Sequence, residues 1–451
     1  MEFKNKTILV LGAGISGIAV AGILKNKGAT VILNDAKPAQ KIKKDLTSLE
    51  RSGISLVLGR QDDSLLAGVD YLVVSPGISI NLPLIQTARA RSIAVMSEIE
   101  VAYRLCRAPI VAITGTNGKT TTTTLIGDML RTTGREIVVG GNIGTALSKE
   151  VENLASDGLV VAEISSFQLE GIIDFRPKIA AVLNLTPDHL DRHHSMECYK
   201  ETKENIFRNQ TPGDYLVLNY DDEQIRDMAG RTAAKVMYFS LKQQLRQGVF
   251  VREQNFSIAW EGQFYEICPV ADLALKGSHN VENTLAACGV AFLAGAKIVD
   301  LAAVIKNFQG VEHRIEFVAK INDVEYYNDS KATNPESAVK ALEAFSGNVI
   351  LIAGGCDKMT DLTEFAGLIR QKADQLILLG EAKERFHAAA LKAGVANIHT
   401  VQSFEEAVAL AHCLAKPKQV VLLSPACSSY DMFTNYEERG KAFKNLVRKL
   451  G

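Results

Sequence analysis

The sequence predicts an α/β protein of three domains: a Rossmann-like N-terminal domain, a central P-loop-type mononucleotide-binding sheet with an antiparallel addition, and a Rossmann-like C-terminal domain. Three observations carry that prediction. Apolar runs of strand length alternate with stretches of helical spacing along most of the chain, the pattern of βαβ units. Glycine-rich turns follow strands at Gly12–Gly17, Gly115–Gly118 and Gly354-Gly355. And 451 residues exceed what one hydrophobic core sustains, so the chain divides. The expected boundaries are 1–99, 100–310 and 311–451.

In the first block, residues 7–12 read as a strand running into Gly12-Ala-Gly14-Ile15-Ser16-Gly17 and a helix to Lys27. A second strand, Thr30–Asn34, closes on Asp35, an acid spaced to meet a ribose or base. The motif marks a unit that binds some nucleotide diphosphate without saying which, and a dehydrogenase stays open on it. Strands at Ser55–Leu58 and Tyr71–Val74 follow. The second ends in Ser75-Pro76-Gly77-Ile78, at the edge where open parallel sheets place ligands; a plain turn accounts for it equally well.

The central block turns on Pro109–Thr114, a buried strand, followed by Gly115-Thr116-Asn117-Gly118-Lys119-Thr120-Thr121 and a helix to Arg131. Strand, glycine loop and helix N-terminus form a phosphate cradle. Lys119 is placed to reach the terminal phosphates and the Thr120 hydroxyl to hold magnesium. The usual G-x-x-x-x-G-K-[ST] pattern is not met, because position 113 is Ile and the loop is shorter. Ile137–Gly140 is a strand leading to Gly141-Asn142-Ile143-Gly144. Leu159–Ala162 is another, ending in Glu163-Ile164-Ser165-Ser166-Phe167-Gln168, where Glu163 suits a magnesium ligand. Ile179–Asn184 ends in a cluster, Thr186-Pro187-Asp188-His189-Leu190-Asp191-Arg192-His193-His194. That cluster reads either as a solvated loop capped by Asp188 or as metal and substrate contacts. Tyr199–Lys203 reads as helix. Tyr215–Asn219, Lys235–Ser240, Val249–Glu253, Phe256–Trp260 and Gln263–Cys268 form the antiparallel addition. Asn280 and Asn283, one helical turn apart, either face a purine edge together or include a helix cap.

The third block has strands at Val324–Asn328, Val349–Ala353, Gln375–Leu379 and Val420–Leu423. Three strand ends carry polar loops: Asn328-Asp329-Ser330-Lys331-Ala332-Thr333-Asn334-Pro335, Gly354-Gly355-Cys356-Asp357-Lys358 and Ser424-Pro425-Ala426-Cys427-Ser428-Ser429-Tyr430-Asp431. Three such loops on one sheet edge are more than a scaffold requires, so they are expected to line one pocket.

A formal net charge of −1 gives no general drive toward nucleic acid or anionic membrane. Seven cysteines without a C-x-x-C pair argue for reduced thiols. No leader segment and no apolar run of membrane-spanning length stands out. A cytoplasmic protein, free of nucleic-acid and membrane partners and monomeric, is the expectation.

Taken in order, these motifs resemble the ATP-dependent Mur ligases of peptidoglycan synthesis over essentially the whole chain. GTNGKTTT is similar to that family's own short phosphate loop. NDSKATNP and SPACSSYDMFTNYEERG resemble its D-glutamate-adding branch. The resemblance implies an enzyme that uses ATP and two magnesium ions to join D-glutamate to UDP-N-acetylmuramoyl-L-alanine through an acyl phosphate. It implies ATP contacts at Gly115 to Thr121, Asn283, Arg314 and Asp329, with Lys331 stabilising the transferring phosphate. Metal would be held by Thr120, Glu163, His189 and Lys203, the last as a carbamylated lysine, with Asn184, Asp188 and Gln168 supporting. The UDP-substrate would meet Ile15, Ser16, Asp35, Ser75, Gly77, Asn142 and Ser165. D-Glutamate would meet Arg192, Thr333, Lys358, Ser429 and Tyr436. The family commonly carries Phe at the last position, a swap of little weight if the contact is through the main chain.

Overall fold

The first apolar run forms strand β1 (Thr7–Leu11) of a parallel sheet in a computed structural model that describes residues 2–42, 46–143, 145–275, 277–357 and 359–451. With β2 (Thr30–Asp35), β3 (Ser55–Leu58), β4 (Tyr71–Val74) and β5 (Ala94–Ser97), the order is β3-β2-β1-β4-β5. Leu9 is in register with Ile32 on one side and Leu72 on the other. The chain therefore leaves β1 and β4 in opposite directions, and the loops after them flank the sheet's switch point. Ile8, Val10, Val20, Leu24, Val31 and Leu33 pack the core beneath the helix Ile15–Asn26.

The second sheet comprises β6 (Ile110–Thr114), β7 (Ile137–Gly141), β8 (Leu159–Glu163), β9 (Ile179–Val182), β10 (Tyr215–Asn219), β11 (Lys235–Ser240), β12 (Gly248–Arg252), β13 (Asn255–Trp260) and β14 (Gln263–Pro269). Its order is β14-β13-β12-β11-β10-β9-β6-β8-β7. Every residue of β6 and β8 is buried, which is why both read as unbroken apolar runs. The antiparallel part is narrower than the sequence suggests. β10 pairs parallel with β9 and β11, and β11 parallel with β12; only β12-β13-β14 alternate in direction. The reason is in the connections. Glu253-Gln254 and Glu261-Gly262 are two-residue turns with positive φ throughout, the hairpin geometry, whereas a helix, Glu223–Arg226, intervenes between β10 and β11.

The third sheet, β15 (Glu316–Ile321), β16 (Val324–Asn328), β17 (Val349–Gly354), β18 (Ala373–Leu379), β19 (Ile398–Thr400) and β20 (Val420–Leu423), has the order β15-β16-β20-β17-β18-β19. Only the β15–β16 hairpin is antiparallel. Two compact bodies result. One holds the first two sheets in Met1–Asp272 with Glu282–Ile305, the other the third sheet in Leu273–Val281 with Lys306–Gly451. No helix of the described residues is long and apolar enough to cross a membrane, and the cysteines are free thiols.

Within the first body, a buried carboxylate ties the two sheets. Glu100, in the helix Glu98–Leu105, is fully buried. It accepts from the backbone N–H groups of Ile173, Asp174 and Phe175 at 2.9–3.1 Å and from Arg104 Nε at 2.7 Å. Arg104 also pairs with Glu2 and Asp174. Removing the carboxylate would leave three backbone donors, that of Phe175 buried, and the Arg104 guanidinium without their acceptor, so Glu100→Ala is expected to cost about 3–5 kcal/mol. Urea denaturation should show the midpoint falling with little change in slope.

Candidate active site

The glycine loop after β6 is shaped by contacts that only glycine permits. Gly115 has φ +154°, and a Cβ there would press on Leu183 Cβ at 3.0 Å and on Asn184 N at 3.4 Å. Gly118, at φ +80°, is the N-cap of the helix Lys119–Arg131; a Cβ there would meet the side-chain oxygen of Asn283. Asn283 is thus set directly over the loop. From the end of β9, Asn184 brackets Asn117, accepting from its N–H at 2.7 Å and donating to its carbonyl at 3.0 Å. Thr116 turns its hydroxyl inward, donating to Thr186 O at 3.1 Å with Tyr199 OH at 3.3 Å. Its N–H donates to Asn184 O at 3.0 Å, so side chain and backbone of Thr116 both hold the loop in shape. Backbone N–H groups at the start of a thirteen-residue helix face one spot, an anion site by construction.

Two lysines meet on that loop. Lys119 Nζ donates to Gly115 O at 2.9 Å and to Thr116 O at 2.7 Å. Lys203 Nζ, from the helix Met196–Glu204, donates to the same Gly115 carbonyl at 2.9 Å. Lys203 is 1% exposed. Burial, then the charge of Lys119, hold its pKa well below that of a free lysine, against the opposing pull of Asp188. That setting disfavours the protonated form of Lys203.

Glu163, the last residue of β8, is buried. Its Oε1 accepts from Asn142 Nδ2 at 2.8 Å, while its Oε2 has no hydrogen-bond partner among the described residues. A lone bare carboxylate oxygen beside a phosphate loop fits a hard cation that completes its shell with phosphate and water. Among the described residues no cluster of three His, Cys, Asp or Glu stands ready to hold a metal alone. Ser165 and Gln168 form a capping box on the helix Ser166–Leu169, so both expected site residues bind each other. His189 has φ +54°, its ring 4.7 Å from that of Phe167 and its Nε2 3.5 Å from Asp188 Oδ2.

On the first sheet, Asp35 uses its two carboxylate oxygens on the backbone, accepting from Ala13 at 2.9 Å and Lys37 at 2.8 Å. Ser75 is buried and donates to Gly12 O at 3.1 Å. Both shape the glycine turn. Ile15 is 63% exposed at the head of its helix, and Gly77 is exposed beyond β4.

On the third sheet, the loops after β16, β20 and β17 are neighbours, as expected. Asp329 is fully buried; burial pushes its pKa up to about 6 against the pull of Arg314 and a 2.7 Å hydrogen bond from Ser424 Oγ. Lys331 Nζ lies 5.5 Å from the ring centre of Tyr436, and the carbonyl of Tyr436 accepts from Ser330 Oγ at 2.8 Å. Thr333 is half-buried and Ser429 buried; Lys358 falls outside the described residues. Arg439 joins two of these loops, donating to Ser330 Oγ and O at 2.9 and 2.8 Å and to Cys427 O at 3.1 Å. Burial lowers its pKa to about 10.

The glutamate ligases of Pelotomaculum thermopropionicum and Geotalea uraniireducens, both UDP-N-acetylmuramoylalanine–D-glutamate ligases, are 45% and 46% identical to this chain over 449 and 450 residues, covering 100% of it and 99% of each relative. The chain belongs to the Mur ligase family. Three family models match in order: the Mur ligase MurD-like N-terminal domain over 6–97, the Mur ligase middle domain over 113–291, and the Mur ligase glutamate ligase domain over 313–427. The fold is that of solved Mur ligases. The UDP-N-acetylmuramate-alanine ligase MurC of Thermotoga maritima superposes with a TM-score of 0.62 at 18% identity, covering 99% of this chain and 100% of that one. MurF of Acinetobacter baumannii does so with 0.62 at 18% identity, covering 99% and 91%.

In this Mur ligase the structure brings Gly115–Thr121, Asn283, Lys203 and Asn184 together around one loop, and Asn142 onto Glu163. It gives Asp35, Ser75, Thr116, Ser165 and Gln168 partners in the surrounding backbone and side chains. Sequence reasoning missed Tyr199, Phe167, Glu170 and Arg439. Tyr199, Phe167 and Arg439 sit inside stretches already singled out and Glu170 lies just beyond one, but none has a spacing that marks it. Their burial against charged neighbours is what distinguishes them.

Proposed function

We infer that the protein joins D-glutamate to UDP-N-acetylmuramoyl-L-alanine at the expense of ATP, forming an amide through an acyl phosphate in peptidoglycan precursor synthesis. The observation that carries this reading is the full-length likeness to D-glutamate ligases together with the phosphate loop and its two lysines. The loop from Gly115 to Thr121 binds the triphosphate through the N–H groups at its helix end, those of Thr116 and Asn117 being held by Asn184, and Lys119 swings from the loop carbonyls onto the β- and γ-phosphates. Asn283 bounds the nucleotide; Arg314 and Asp329 take its phosphate and ribose, and Lys331 follows the transferring group. Magnesium, when bound, neutralises phosphate charge and steadies attacking and leaving oxygens. Thr120 and the bare oxygen of Glu163 would hold one ion, His189 and Lys203, as its carbamate, a second.

The free carboxylate of the L-alanyl residue takes the γ-phosphoryl group, and ADP leaves. The amine of D-glutamate then attacks that carbonyl carbon, phosphate leaves, and the amine gives up a proton. Thr333, Lys358, Ser429 and the main chain at Tyr436 orient the amino acid. Ile15, Ser16, Gly77 and Asn142 contact the UDP-sugar, while Asp35 and Ser75 keep its loop in shape. We place the reaction in the cytoplasm and the enzyme as a monomer.

Phosphate release from ATP should require both UDP-N-acetylmuramoyl-L-alanine and D-glutamate. Release with folate and L-glutamate instead would move the activity to another acid–amino-acid ligation, and release with neither partner would reduce it to a plain ATPase.

A further inference from the structure

Arg192, in the helix Leu190–His193 just after His189, is engaged on every side. Its Nη1 donates to Pro76 O at 2.7 Å and its Nη2 to Ile78 O at 2.9 Å. Nε and Nη2 reach the two oxygens of Glu170 at 3.1 and 2.5 Å, and the guanidinium lies 4.1 Å from the ring centre of Phe167. The side chains of Arg192 and Glu170 are 16% and 10% exposed. Burying such a pair is costly, and packed apolar residues would serve stability as well. What apolar residues could not do is grip two carbonyls of one loop at once. The rigid fork of a guanidinium can.

The grip joins two functional elements. On one side, the loop Ser75–Ile78 reaches the glycine turn through the hydrogen bond of Ser75 to Gly12. On the other, the Phe167 ring beneath Arg192 also packs against the rings of His189 and His193, centroids 4.7 and 5.6 Å away. His193 bonds Ser166 Oγ at 3.0 Å and lies 3.8 Å from Glu170. A closed set of contacts thus runs from the nucleotide-binding turn of the first sheet to His189 in the second.

We propose that Arg192 is a positioning residue, rather than a ligand of the amino acid. It holds the Ser75–Ile78 loop against the helix that follows His189 and so aligns the muramoyl end of the UDP-sugar with the centre that phosphorylates it. This rests on the ligase reading above. Arg192→Lys keeps the charge and the stacking but cannot span both carbonyls, and Glu170→Gln loosens the fork from its other side.

Both variants should raise KM for UDP-N-acetylmuramoyl-L-alanine about tenfold and lower kcat by about 10- to 100-fold, leaving KM for ATP and D-glutamate within about twofold. Arg192→Lys should be the milder of the pair with Arg192→Ala. Calorimetric binding of UDP-N-acetylmuramoyl-L-alanine, measured without ATP, should weaken in parallel while the melting temperature of the lysine variant stays near that of the parent. A rise confined to KM for D-glutamate would overturn the proposal and return Arg192 to the acceptor pocket. Unchanged kinetics, or equal loss toward all three substrates with a lowered melting temperature, would overturn it as well. If the parent protein itself failed to bind the muramoyl nucleotide, the ligase reading would fall first, a separate and recognisable result.

Discussion

Lys119→Ala is expected to lower the rate of ATP-dependent amide formation by about 1,000-fold, the size of effect seen when one preorganised charge is taken from a developing anion. Among the residue's partners are two main-chain carbonyls of its own loop, which solvent can serve once the amine is gone. The loop itself is held by Asn184 and Thr116, so the fold should survive and the melting temperature should move little. ATP binding should weaken less than turnover, because the loop N–H groups remain. Steady-state phosphate release at saturating ATP measures the effect. Activity within about tenfold of the parent would mean that the loop does not carry phosphoryl transfer. A further consequence concerns Lys203. With Lys119 gone, one of the two influences that depress its pKa disappears, and its amine should become easier to protonate.

The central strands were legible in the sequence because they are buried on both faces. β6, β8, β17 and β20 are continuous apolar runs with polar loops after them, and those loops fall at the switch points of their sheets. The strands that escaped, β5, β15 and β19, are all sheet edges. Edge strands are half-exposed, as the pattern of β15 shows, so their apolar content thins and their period blurs. The directions of β10 and β11 escaped for another reason: pairing direction is decided by the connection, not by the strand's own residues.

For the site, residue types that chemistry requires at a strand end were visible. Lys119, Thr120 and Glu163 needed only position along the chain. Contacts made by folding were not. Asp35, spaced to meet a ribose or base, also accepts from two backbone N–H groups, which its spacing does not show. Arg192 looks like an acceptor-site cation by company and grips a neighbouring loop. The buried amine of Lys203 could be suspected from resemblance, but its sharing of one carbonyl with Lys119 exists only in three dimensions.

That shared carbonyl leads to the second large effect. Two ammonium groups cannot comfortably crowd one buried acceptor, and burial disfavours the charge on Lys203, the more deeply buried of the two. A neutral amine attacks dissolved carbon dioxide at carbon, the nitrogen loses a proton, and a carbamate forms, exchanging a disfavoured cation for an anion that can face metal. Lys203→Met should therefore abolish ligation by about 100-fold or more, as loss of a metal-binding group does, and should not destabilise the protein. The sign follows from linkage. With a folded pKa below the free value of 10.5, the folded state binds fewer protons than the unfolded one in the window between the two. Stability is lost as pH falls from the free pKa toward the folded one, and methionine removes that loss. Parent enzyme held in carbon-dioxide-free buffer should lose activity and regain it on adding bicarbonate, whereas the methionine variant should respond to neither. Indifference of the parent to carbon dioxide, with ligation surviving in Lys203→Met, would leave the lysine a structural amine and assign the second ion to His189 alone.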